Sequence, residues 1–196
     1  MNSANQINTS FSDEAVETAR SLRKLYFTRV AFSVLWIISV VTLGKTNSTA
    51  ATLLFIIYPA WDVLATFFDI KANSANTNKT PQYVNAGISI LTTIAVIVAL
   101  QKGIPEALIV FGVWASLTGI IQLILGLRRR KYFEGQWPMI LSGAQSVLAG
   151  GFIIYTAHVA VEGVVSLAGY SAFGAFYFLL AAIRLGKTIK NSTAIA

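Results

Sequence analysis

Apolar residues in this chain neither alternate with polar ones nor stripe a single helix face. They gather in six long blocks, over residues 25–43, 50–70, 84–100, 105–127, 137–156 and 159–185. About 20 mainly apolar residues carry an α-helix across the hydrocarbon of a bilayer, so each block predicts one transmembrane helix. The polar stretches between some blocks are very short. Gly44-Lys45-Thr46-Asn47-Ser48 separates the first two, and Gln101-Lys102-Gly103-Ile104 the next two, with Pro105 suited to the first turn of the fourth helix. A tight turn around Ala157-His158 joins the last two. The blocks therefore pair into three helical hairpins, and the chain reads as an all-α integral membrane protein.

The hairpins also resemble one another. Windows 31–70, 87–126 and 143–182 align without gaps at a constant offset of 56 residues. Equivalent places hold Leu35, Leu91 and Val147, then Phe55, Phe111 and Leu167, then Tyr58, Trp114 and Tyr170. A fixed offset with a shared aromatic step marks an internal repeat. Three two-helix units entering with the same polarity are parallel repeats, which predicts a bundle with a pseudo-threefold axis along the membrane normal. Small residues four apart (Gly112 and Ser116, with Ala168 and Ala172 as equivalents; Ala115 and Gly119, with Ser171 and Ala175) predict close helix approach. Pro59 stands where Ala115 and Ser171 do, and predicts a kink in the second helix.

Composition agrees with this class: 55% of residues are hydrophobic and only 12% charged, against about a quarter charged in soluble domains. The net charge of +7 does not point to nucleic acid, because the basic residues sit at block ends and stripe no soluble face. They set orientation instead. With the N-terminus cytoplasmic, 13 of the 15 Lys and Arg fall inside and only Lys45 and Lys102 outside, so the positive-inside rule places both termini in the cytoplasm. Residues 1–24 read as a cytoplasmic tail with a short amphipathic helix starting near Ser12, its first turns carrying Asp13, Glu14 and Glu17. Residues 25–187 form the transmembrane domain, in repeats 25–80, 81–136 and 137–190, and 188–196 a C-terminal tail. No removable signal peptide is expected. The absence of cysteine excludes disulfides and thiolate chemistry.

A family resemblance rests on the later part of the chain. Gly103-Ile104-Pro105-Glu106, the apolar run to Gly119-Ile120-Ile121-Gln122-Leu123, the Arg128-Arg129-Arg130 cluster and Gly135-Gln136-Trp137 together resemble the HdeD-like acid-resistance membrane proteins. The resemblance implies six spans, a bacterial inner membrane, and a role in envelope or acid stress without a settled biochemical activity.

Few residues are candidates for chemistry. Asp62 lies near the middle of the second block, where a charge costs about 2.5–3.5 kcal/mol on insertion scales. It is expected to be protonated, paired or facing a wet interior. One reading makes it a proton- or cation-contacting site; the other makes it polar glue between helices. Gln122, Gln145 or a tyrosine hydroxyl are its candidate partners. His158, the sole histidine, with Glu162 one turn later, is a candidate external pH sensor or a plain interfacial turn. Trp137 reads as an interfacial anchor. The Arg128–Lys131 run is a topology signal that could also meet anionic lipid. Phosphate-loop, dinucleotide, metal-ligand and nucleophile-elbow patterns are missing from the sequence. The expectation is a non-enzymatic protein without cofactor or metal. Its partners would be lipids and other copies or other membrane proteins, with no nucleic acid and no identifiable small-molecule substrate. The alternative is a small transporter or channel for protons or cations.

Overall fold

A computed structural model describes residues 2–73, 78–131, 136–159 and 163–195, with backbone alone for 2–15, 188 and 190–195. The chain forms six long helices: α1 (Asn2–Leu43), α2 (Ser48–Ala72), α3 (Thr80–Leu100), α4 (Ile104–Arg129), α5 (Trp137–Thr156) and α6 (Ala168–Ile195), the last preceded by a 3-10 turn over Gly163–Leu167. Among the described residues, six stretches are long and apolar enough to cross a membrane: Val16–Leu43, Ser48–Ala72, Thr80–Leu100, Ile104–Arg129, Trp137–Thr156 and Gly163–Lys187. These mark a multi-pass membrane protein. Proline stands in the first two positions of α3, α4 and α5, where its missing N–H leaves no bond unmade. The side chain of Asn47 caps α2 by accepting from the Ala50 amide at 2.9 Å.

Two expectations are revised. No separate N-terminal helix starts at Ser12: α1 runs continuously from Asn2 to Leu43, a stretch with no glycine or proline to break it. The side chains of Asp13 and Glu14 lie outside the described residues. The last span begins at Gly163, not Val159, because Val159 sits exposed in the turn after α5 and Gly163 takes φ +56°, a conformation that favours glycine. Pro59, where a kink is expected, lies inside α2 with its ring buried, and neighbouring helices make an interior proline tolerable there.

Every helix packs on its neighbours in the chain, and α1 packs closely on α6, so the six close into a ring. The closest seams join consecutive hairpins (α2 to α3, α4 to α5, α6 to α1) and not the two helices of one hairpin. Between α4 and α5 the seam is built on glycine. A Cβ on Gly112 would stand 2.7 Å from the Gly150 carbonyl, one on Gly119 2.8 Å from that of Gly143, and one on Gly126 3.2 Å from the Ile140 amide. These glycines recur every seven residues, which keeps one narrow stripe facing the partner along the seam. Ser171 and Ala175 are buried as the small-residue pattern predicts, whereas Ala172 is exposed and takes no part.

Two apolar clusters divide the interior. One lies toward the hairpin tips and gathers Trp36, Val40, Phe55, Val96, Leu108, Phe111, Trp114 and Leu167. The other lies toward the opposite end, where Leu22, Leu25, Tyr26, Met139, Ala181 and Leu185 join α1, α5 and α6.

Candidate functional site

Polar side chains buried within the spans begin between these clusters and continue toward the end opposite the hairpin tips. Position 62 falls on the buried face of α2, which also carries Phe55, Pro59, Thr66 and Asp69 at helical spacing. On α3 the buried face is polar for three turns: Gln82, Asn85, Ser89 and Thr92 recur at three- and four-residue steps. The two stripes meet. Asp62 Oδ2 accepts from Asn85 Nδ2 at 2.7 Å and from the Ser89 hydroxyl at 2.8 Å. Asn85 also donates to the Thr66 hydroxyl at 2.8 Å, and Trp114 Nε1 donates to Ser89 Oγ at 3.0 Å. Asp62 Oδ1 is taken by Arg29 Nη1 at 2.9 Å. Both carboxylate oxygens are thus engaged, by groups from α1 and α3, and α4 is tied in through Trp114.

A second ion pair lies nearer the end opposite the hairpin tips. Arg129 of α4 meets Asp69 of α2 and donates to the Tyr26 hydroxyl of α1 at 3.2 Å. Asn73 closes the group by donating to the Asp69 carbonyl at 2.6 Å. Removing two charges from water is costly, and only close pairing with further hydrogen bonds offsets it. Each pair here has those bonds.

Above the network stands an aromatic layer. Tyr58, Trp114 and Tyr170 converge, with Tyr58 5.8 Å from Trp114 and 6.4 Å from Tyr170 between ring centroids. Tyr58 also donates to the Ser171 hydroxyl at 3.2 Å. Below this layer is a central cavity of about 90 Å³, lined from all six helices. Two triplets at the 56-residue spacing line it, Tyr58, Trp114 and Tyr170 and then Asp62, Thr118 and Gly174.

The structure places the sequence candidates unequally. Asp62 lines this cavity, with Arg29, Asn85 and Ser89 as its partners in place of the glutamines or a tyrosine. Gln122 lines the same cavity but donates to the Met139 carbonyl at a long 3.5 Å. Gln145 faces a different space, between α5 and α6. His158 is exposed in the turn after α5, and Glu162 lies outside the described residues. Trp137 is exposed at the start of α5 with the Arg184 guanidinium over its ring at 4.9 Å.

Two arginines assigned above to the cytoplasmic flank work in the interior. Arg29 turns inward to pair with Asp62 of α2 at 2.9 Å, and Arg129 is buried although it belongs to the Arg128–Lys131 run. Asp69 was masked by its place at the block edge. The stripe Gln82, Asn85, Ser89, Thr92 was the readable signal, since polar residues at helical spacing in an apolar block face another helix.

Residues 84–155, over a third of the chain, match the family model described as a short repeat of unknown function (DUF308). The match runs from α3 through α5 and so includes the glycine seam and Asn85 and Ser89. No curated protein and no solved structure matches the chain.

Proposed function

We propose that this is a non-enzymatic multi-pass protein of the bacterial plasma membrane, built from three parallel hairpin repeats of about 56 residues. The equivalent triplets around one cavity and the ring of seams between hairpins support the repeat. The uneven distribution of Lys and Arg supports cytoplasmic termini. Its place in envelope or acid stress rests on the resemblance to HdeD-like proteins. The observation that carries the mechanism is the Asp62 site: a buried carboxylate with both oxygens hydrogen-bonded, by Arg29, Asn85 and Ser89, beneath an aromatic layer. Such a bundle holds its shape and acts through contacts within the membrane. Conduction of protons or cations through Asp62, the alternative, has in its favour that Asp62 lines the interior. Against it, both carboxylate oxygens are already hydrogen-bonded, and aromatic rings close the way to the hairpin tips.

Purified protein in liposomes is expected to show no proton or potassium flux above that of empty vesicles, at neutral or acid pH. Flux that disappears in Asp62→Asn, with folding kept, would establish the transport reading instead. Orientation is open to direct labelling, because the chain has no cysteine of its own. Lys102→Cys is expected to react with an impermeant maleimide from outside intact cells, and Lys131→Cys only after lysis. The reverse pattern would invert the topology.

A further inference from the structure

The seam between α5 and α6 is looser than those on either side of it, α4 to α5 and α6 to α1. It holds a cleft of about 290 Å³, walled by Ala149, Phe152, Ile153 and Phe173. The cleft adjoins the central cavity: Ser142, Ser146, Tyr170 and Gly174 line both. Comparison at the 56-residue spacing explains the opening. Gly169 stands where α4 has Val113 and α2 has Ile57, and Gly174 where they have Thr118 and Asp62. In the first hairpin Phe32 and Trp61 stack at 4.5 Å between α1 and α2; position 144, equivalent to Phe32, is alanine. A Cβ on Gly169 or Gly174 would meet nothing within 4 Å. The third hairpin is open because side chains are missing at its doorway.

Toward the hairpin tips the cavity is flanked by an apolar cluster, and the cleft gives it an approach from the hydrocarbon of the bilayer. What could enter is constrained by the lining. Two arginines and two aspartates balance as two internal pairs, which leaves no net charge to attract an ion. Gln82, only 2% exposed, lines the cavity with its side-chain oxygen unpartnered. An unpaired buried carbonyl calls for a donor. Ser146 and Tyr170, 3.4 Å apart, put two hydroxyls at the entrance. The volume suits a head of roughly three water equivalents, at about 30 Å³ each. The cleft walls suit a hydrocarbon chain.

We infer that the α5–α6 cleft and the central cavity form one binding site for a single-chain amphiphile, its small uncharged hydroxyl-bearing head in the cavity and its chain in the cleft. The head meets the hydroxyls of Ser146 and Tyr170, with Gln82 among the lining residues beyond them, and the chain covers Phe152 and Phe173, which are otherwise 66% and 58% exposed. The inference rests on the membrane placement proposed above and is indifferent to whether the bundle conducts.

The test uses the full-length protein in lipid nanodiscs with a monoacylglycerol carrying a photoreactive group in its chain. Crosslinks mapped by mass spectrometry are expected to concentrate on α5 and α6, to saturate, and to be displaced by unlabelled monoacylglycerol. Fatty-acid and lysophosphatidylglycerol competitors are expected to be at least about tenfold weaker, since their charges would enter unpaired. Gly174→Val and Gly169→Val each add a side chain into open space. Either is expected to cut labelling about tenfold, by occupying volume the ligand needs, with an unchanged elution profile and melting temperature. Gly151→Val, on the lipid face of α5, is the control and is expected to label as the wild type does. Labelling spread evenly over the lipid-facing helices, or insensitive to both doorway variants, would overturn the site. An anionic competitor matching the neutral one would overturn the uncharged head. Inverted topology in the cysteine labelling, or flux through liposomes, would revise the function proposed above and leave this result standing.

Discussion

Asp62→Ala is expected to destabilise the bundle by about 3–5 kcal/mol, the cost of leaving one member of a buried ion pair without the other. The abandoned group is Arg29, whose guanidinium lies between Asp62 at 2.9 Å and the Phe178 ring, 5.1 Å away. Asn85 and Ser89 would lose their shared acceptor in the same step. Asp62→Asn should cost less, because an amide oxygen can still accept from them. The double variant Arg29→Met with Asp62→Leu removes both charges and is expected to recover much of the loss. Thermal unfolding in detergent, followed by helical signal, checks all three. A single variant no less stable than the double would mean that the pair contributes little.

Gly143→Val is expected to have an effect of similar size by a different route. A Cβ at Gly143 stands 2.6 Å from the Leu123 amide nitrogen, 2.8 Å from the Gly119 carbonyl and 2.9 Å from Leu123 Cα. All three are backbone atoms, so no side chain can turn away, and α4 and α5 must separate. Overpacking a core costs about 1–3 kcal/mol where side chains can adjust; here helix axes must move, and the upper end or beyond is expected. Gly151→Val, eight residues along the same helix and meeting nothing within 4 Å, should leave stability within about 0.5 kcal/mol of wild type. Equal effects of the two substitutions would mean that α5 responds to lost flexibility and not to the seam.

These two sites differ in how far the sequence alone disclosed them. The spans could be read because a 20-residue apolar block has few alternatives to a transmembrane helix. Asp62 could be read for the same reason, as a charge where none is cheap. Arg29 and Arg129 could not, since a basic residue near a block end looks the same whether it faces headgroups or turns inward. Only the packing of α1 on α2, which brings Arg29 to Asp62, moves it to the inside. The glycine seam was half legible. Small residues in α4 were evident, but their partner could not be assigned to α5 of the next hairpin rather than to α3 of their own.

That choice of partner bears on how the chain is assembled as it leaves the ribosome. The first hairpin reaches the bilayer with its tightest contacts still unmade, because these belong to α3 and α6, helices not yet synthesised. For α1 the wait is longest: its most extensive partner is α6, the last helix to emerge. Until then Arg29 has Asp62 of α2 for company, while the α1 face that will meet Ala181, Ala182 and Leu185 stays against lipid or insertion machinery. Truncation after α5 would therefore strand both ends of the ring at once, and the quality-control proteases of the membrane would meet an α1 without its mate.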